Sequence, residues 1–207
     1  MKKVLILFAV FTTFLLAACG AGNESTEKEP GSPEASKAEV EQDVEKKEEP
    51  KEAAFGKRSN PVPVGTTQPV DITIYDNDSN SFAGKADITI TEVKRGQEVL
   101  DLVLAQNQFN ETPAEGYEYI LLNVKATLTD AETEDYAWFA SGYDFSFIGE
   151  DGSPYENVSV VYEPEFNGEV FVGGTVEGTI VNQVKVNDPI KVVLEDGNWD
   201  NVFFATN

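Results

Sequence analysis

Beyond residue 60 the chain mostly alternates apolar and polar residues. Val70, Ile72 and Ile74 are spaced by Asp71 and Thr73, which predicts a half-buried strand over 70–75. Residues 86–93 repeat the pattern through Ala86, Ile88, Ile90 and Val93. Ile120, Leu122, Val124, Ala126 and Leu128 share one face of a long strand over 117–128, and that face is the expected centre of the core. Further strands are predicted over 143–148, 158–162, 169–172, 176–184, 190–194 and 202–204. Polar or glycine turns at 76–81, 150–153, 173–174 and 196–198 lie between strands. Asn60 to Gly65 carries two prolines and reads as an edge strand or entry loop. The period changes over Gln97 to Asn107, where Val99, Leu100, Val103 and Leu104 adopt helical spacing. This predicts a single short helix packed across an end or edge of the sheets. Short, evenly spaced strands with turn residues between them make the fold mainly β, an antiparallel β-sandwich.

The N-terminus obeys different rules. Lys2 and Lys3 precede an uncharged, mostly apolar run from Val4 to Leu16. A membrane span needs roughly 20 apolar residues, so this run is short for one. An ordinary secretory cut after Ala18 wants a small residue where Leu16 stands. Leu16-Ala17-Ala18-Cys19 resembles the bacterial lipobox. That resemblance implies diacylglycerol on the Cys19 sulfur, cleavage before Cys19, and anchoring on the extracellular face of the cell membrane. Cys19 is the only cysteine, so no internal disulfide competes for it. The expected organisation is a lipoprotein signal peptide at 1–18, a lipidated cysteine with an acidic linker at 19–57, and a β-sandwich domain at 58–207. Low hydrophobicity and high charge predict disorder for the linker.

Charge narrows the partners. The 207 residues include 37 acidic and 15 basic side chains and no histidine, for a net charge of −22. From Ser59 onward there are 26 acids against six bases. Such a surface repels nucleic acid and anionic polymers, so no nucleic-acid partner is expected. Without histidine, and with Cys19 committed to lipid, tetrahedral zinc, copper and haem chemistry drop out. Ser-His-Asp and Cys-His catalysis drop out for the same reason. Oxygen ligands and carboxylate chemistry remain.

The remaining chemistry points to two candidate sites. Asp76, Asp78 and Asn80 alternate within a turn, and Asp87 lies eleven residues after Asp76. Calcium loops place oxygens at such intervals because hard cations want several converging oxygen ligands. However, Ser81 stands where an EF-hand loop needs glycine, and Asp87 where it needs glutamate. The same residue types also form ordinary turns. The second site is an aromatic group, Tyr136, Trp138, Phe139 and Tyr143, with Trp138 and Tyr143 as candidate ligand contacts. Such aromatics bind peptide or sugar in an exposed loop, or plug a sheet end. Asn107 and Asn110 are expected to satisfy loop backbone.

Several pieces of the chain carry a family resemblance. They are 58–62 (RSNPV), 91–96 (TEVKRG) with the helix after it, 107–110 (NQFN) running to Pro113, 115–119 (EGYEY) and 173–178 (GGTVEG). On these the chain resembles Gram-positive lipoproteins bearing a telokin-like, immunoglobulin-like domain of unknown function. The resemblance implies that sandwich fold, and no substrate or catalytic residue comes with it. The expected function is therefore a lipid-anchored extracellular binding or accessory module, not an enzyme, recognising protein, peptide or cell-wall material. The alternative is a calcium-binding envelope protein using acidic loops, and a carboxylate hydrolase is the third reading.

Overall fold

The computed structural model describes residues 55–207, and these fall in one compact unit. The signal peptide, Cys19 and nearly all of the linker lie outside the described residues. The fold is mainly β, with antiparallel sheets and one α-helix among the described residues. Strands β1 (Thr67–Tyr75), β2 (Ser81–Arg95), β3 (Tyr117–Ala131) and β7 (Thr175–Lys185) form a four-stranded sheet in the order β1-β2-β3-β7. Strands β5 (Phe145–Ile148), β8 (Lys191–Glu195) and β9 (Asn201–Ala205) form a second sheet. A two-stranded ribbon pairs β4 (Trp138–Ser141) with β6 (Asn167–Val170). All three share one buried cluster, in which Ile88, Ile120, Leu122, Phe145, Phe147 and Phe204 are prominent.

The five-residue face of β3 lies at the centre of that cluster, as its alternation predicts; none of the five is more than 2% exposed. The opposite face of β3 is apolar too. Tyr119 and Leu121 are buried there against Val99 and Val103 of helix α1 (Gln97–Gln106). The helix therefore packs on the outer face of the large sheet, not across an end or edge. The continuous apolar run 119–122 records this double burial, since a strand covered on both faces loses its alternation. Gly96 starts the helix at φ 76°, a conformation that favours glycine, and its N–H donates to Tyr119 O at 2.9 Å.

Other boundaries shift for local reasons. The described fold begins before Arg58, because Phe203 N–H donates to Gly56 O at 2.8 Å. Val62, between its two prolines, donates to Phe203 O and accepts from Ala205 N–H, so the entry segment extends the second sheet. The acidic stretch after Asp130 begins inside the sheet. Glu132 N–H donates to Ala83 O, and the Glu132 carboxylate accepts from Ala83 N–H. The strand expected at 143–148 starts only at Phe145. Ser141 and Asp144 cap a 3-10 turn over Gly142–Asp144 through reciprocal side-chain bonds.

The strand expected over 158–162 forms no ladder. Val158, Val160 and Tyr162 still alternate inward, packing against the α1–β3 cluster. Their backbone partner is a side chain instead: Asn110 donates from Nδ2 to Val161 O and accepts at Oδ1 from Val161 N–H, both at 2.9 Å. Nδ2 also donates to Val103 O at 2.8 Å. Gly178 in β7 is required by the chain that leaves this segment. A Cβ there would collide with Glu165 O, where the backbone crosses β7 and bonds Thr179.

The end of the domain near the β7–β8 connection is tied by one polar network. Arg95 donates to the Glu118 carboxylate at 2.7 Å and to Asp188 O at 2.8 Å. Tyr155 donates to Asp188 Oδ2 at 2.5 Å. Burial first, and the Asp188 carboxylate second, push the Tyr155 phenol up to about 12. A phenol whose folded pKa is raised stabilises the fold fully below its ordinary value of 10.0, and that contribution is lost as pH climbs toward 12.

Two outcomes are expected in urea unfolding. Asn110→Ala should cost about 1–3 kcal/mol, because it strands several backbone groups at once; an unchanged midpoint would refute the pinning role. Tyr155→Phe should cost about 1.5–3 kcal/mol at pH 8, the range for a hydrogen bond to a charged group. The gap to the parent should be constant up to pH 10 and narrow toward pH 12.

Candidate functional site

A cleft of about 480 Å³ opens where the free edge of β1 meets the β4–β6 ribbon and the tip of the β8–β9 hairpin. Its inner wall is apolar, with Ile72, Ile74, Trp138, Phe145 and Leu194. Its mouth carries the exposed aromatics Tyr75, Phe139 and Trp199. Five carboxylates line it and no lysine or arginine does.

The β1 wall is an open edge. Asp76 N–H donates to Asn80 O across the turn, which sets the phase of the β1–β2 ladder. Antiparallel pairs alternate between bonded and non-bonded positions. The N–H and C=O groups of Asp71, Thr73 and Tyr75 therefore point away from β2. Gly197 N–H takes Asp71 O at 2.7 Å. Among the described residues, no hydrogen bond engages the outward groups of Thr73 and Tyr75.

The hairpin tip is held firmly at the cleft. Asp196 Oδ1 accepts from Asn198 N–H and Asp200 N–H, both at 2.9 Å. Asn198 Nδ2 donates to Asp71 Oδ2 at 2.8 Å. Gly197 packs so closely on β1 that a Cβ would sit 2.7 Å from the Ile72 carbonyl carbon. Trp199 then occupies φ 67° with 77% of its surface exposed. A bulky aromatic in the left-handed region is strained by about 1–3 kcal/mol. Stability would favour glycine or asparagine there: the Trp199 N–H donates to Asp196 O at 3.0 Å as any residue's would, and the exposed indole adds no hydrogen bond among the described residues.

The carboxylates of the rim differ in their commitments. Asp71 pairs with Lys85 at 2.5 Å, and Asp196 caps its own turn. Glu169 and Glu195 are exposed and make no side-chain bond among the described residues. Asp144 reaches solvent, yet the surrounding walls desolvate its carboxyl and push its pKa up, with the Ser141 N–H bond opposing. No cation stands beside it to reverse that shift.

The residues singled out from sequence are not gathered in one place. Trp138 forms part of the cleft wall and is 9% exposed, in the core cluster. Tyr143 is 74% exposed and lines a separate hollow of about 320 Å³ between segment 157–163 and β7. Tyr136 stacks on Phe82 at 5.7 Å. Trp199, Glu169 and Glu195 were not anticipated. The one available signal was a tryptophan inside a hairpin turn, where Asp, Asn and Gly predominate.

The calcium candidates separate as well. Asp76 Oδ1 accepts from Asp78 N–H at 2.9 Å and Asn80 N–H at 2.8 Å, and Oδ2 accepts from Asn80 Nδ2 at 2.7 Å. These bonds, the Asn80 amide's first, hold the Asp76 carboxyl below its usual range. Asp87 lies six strand residues beyond Ser81, opposite Pro69. At roughly 3.3 Å per residue that is about 20 Å from the turn. The Asp196–Asp200 turn repeats the same capping geometry, with Trp199 where Ser79 stands, at φ 66°. The Asp/Asn alternation is thus the signature of an aspartate-capped hairpin turn. No group of three or more Asp, Glu, Cys or His placed to hold a metal occurs among the described residues.

Comparisons with known proteins add little. No family model matches the chain, and no curated protein matches it. Among solved structures, it is similar to YcdA, a presumed lipoprotein of Bacillus subtilis, at 13% identity and a TM-score of 0.43. The match covers 57% of this chain and 35% of that one, so the chain spans about a third of its neighbour's length. No helix among the described residues is long and apolar enough to cross a membrane.

Millimolar calcium is expected to leave the melting temperature where chelator leaves it. A rise of several degrees that vanished in Asp78→Ala would support the calcium reading, since ligand at 100 times its dissociation constant adds about 2.7 kcal/mol.

Proposed function

We propose that this protein is a lipid-anchored extracellular binding module, an immunoglobulin-like, telokin-like sandwich held to the cell membrane through Cys19. The cleft recognises a protein, peptide or wall partner. The observation that carries this reading is the exposed Trp199 at the mouth of an apolar cleft, held in a conformation that costs stability. Natural chains keep such features where they serve binding. Tyr75 and Phe139 beside it extend the aromatic rim, and aromatics contribute most of the energy at many binding surfaces.

Three further features agree. The four-stranded and three-stranded antiparallel sheets share one core, as the layers of a sandwich do. The Leu16–Cys19 stretch fits the lipobox pattern. The resemblance motifs support structure: Arg95, Gly96, Glu118 and Asn110 fasten the helix, its exit loop and the domain end. The cleft lies apart from these motifs. The open strand edge and the exposed aromatic rim are features of a binding surface.

Anchoring is tested by growing cells with labelled palmitate. The parent should incorporate label and partition into detergent, and Cys19→Ala should take up none. Equal labelling of both would overturn the anchor.

A further inference from the structure

Resting on the reading of this cleft as a binding site, we propose that its occupant is an extended, basic segment of a protein partner, which lies along the β1 edge and places a lysine or arginine side chain between Trp199 and Trp138. Four features of the cleft select this chemistry.

The edge supplies the backbone half. The outward N–H and C=O groups of Thr73 and Tyr75 are open, and an added strand pairs with such groups whatever its sequence. Alternate residues of an added strand then face the cleft. The wall supplies the second feature. Ile72, Ile74 and Trp138 form an apolar surface leading outward to acids, matching a side chain with an aliphatic stem and a charged head. The rim supplies the third: among the described residues Asp144, Glu169 and Glu195 carry no countercharge, and the lining contains no base. Trp199 supplies the fourth, since an indole face attracts a cation within about 6 Å.

The chain's own linker is a poor occupant. Residues 20–57 contain eleven acids against six bases and would be repelled. An anionic wall polymer would be repelled equally.

The test uses the full chain in detergent and three probes: acetyl-Thr-Lys-Thr-Lys-Thr-amide and its counterparts with leucine or glutamate at both lysine positions. Binding is read from tryptophan fluorescence, to which Trp138 and Trp199 both contribute, from the Trp199 indole N–H shift, and from the amide shifts of Thr73 and Tyr75. The lysine peptide should bind at least tenfold more tightly than either counterpart. Glu169→Gln with Glu195→Gln should weaken it about tenfold. Glu111→Gln with Glu115→Gln, in the loop after α1, removes as much charge and should change nothing. If both pairs weaken binding alike, attraction to net charge explains it and the proposal falls. If the leucine peptide binds equally well and ignores the Glu169/Glu195 pair, the cleft stands as a binding site and the basic class is overturned. If no peptide moves the Trp199 or Thr73 signals, both the site and its occupant are refuted.

Discussion

Strand β3 is covered on both faces, and the rest of the domain is arranged by that constraint. One face meets the main core through five residues from Ile120 to Leu128. The other holds helix α1 through Tyr119 and Leu121. A strand buried on both sides needs neighbours on both edges, and β2 and β7 provide them along most of its length. The resemblance motifs cluster around this element. Gly96 starts the helix beside Tyr119, Arg95 pairs with Glu118, and Asn110 ties the loop after the helix to segment 157–163. Removing any of these loosens the layer that covers the outer face of β3.

The opposite side of the large sheet ends differently. Among the described residues β1 has a partner on one edge only, and the other edge is met by a hairpin tip at Asp71 and then left open. Unpaired strand edges invite unwanted pairing, and proteins usually blunt them with charge, proline or cover. Here Lys85, Asp71 and the acidic rim supply charge, while the Asp196–Asp200 turn covers one end. The remaining opening is the cleft. An edge lined by carboxylates repels copies of this acidic chain, whose net charge is −22.

Two hairpin turns show how a single local device can carry different meanings. Both are capped by an aspartate whose Oδ1 takes two backbone N–H groups, and both need a left-handed residue at the fourth position. In the first, the small Ser79 fills that position. In the second, Trp199 fills it against its conformational preference. The spacing of acids that resembles a calcium loop is common to both turns and arises from backbone capping. The aromatic is what distinguishes them.

Much of the architecture was legible in the sequence, because alternation and turn chemistry are local. Period-2 runs place β1, β2, β3 and β7 and identify the buried face of β3, while short apolar runs on either side of the 196–198 turn place β8 and β9. A change of period locates α1, and Asn110 acts on loop backbone as its residue type implies. Local pattern does not say which layer a helix covers, whether segment 158–162 finds a strand to pair with, or where a chain is pinned by a side chain instead. The site lay further out of reach. Residues 71–75, 137–139 and 194–199 are remote in sequence and meet only because the sheets pack with the β1 edge uncovered. The same packing sends Trp138 into the wall of one cleft and Tyr143 to another hollow. The sequence by itself determined which faces must be apolar and where the chain must turn, since both depend on neighbours within a few residues. Tertiary structure alone decided which edge stayed open and which acids gathered around it, since those depend on long-range pairing that no local period encodes.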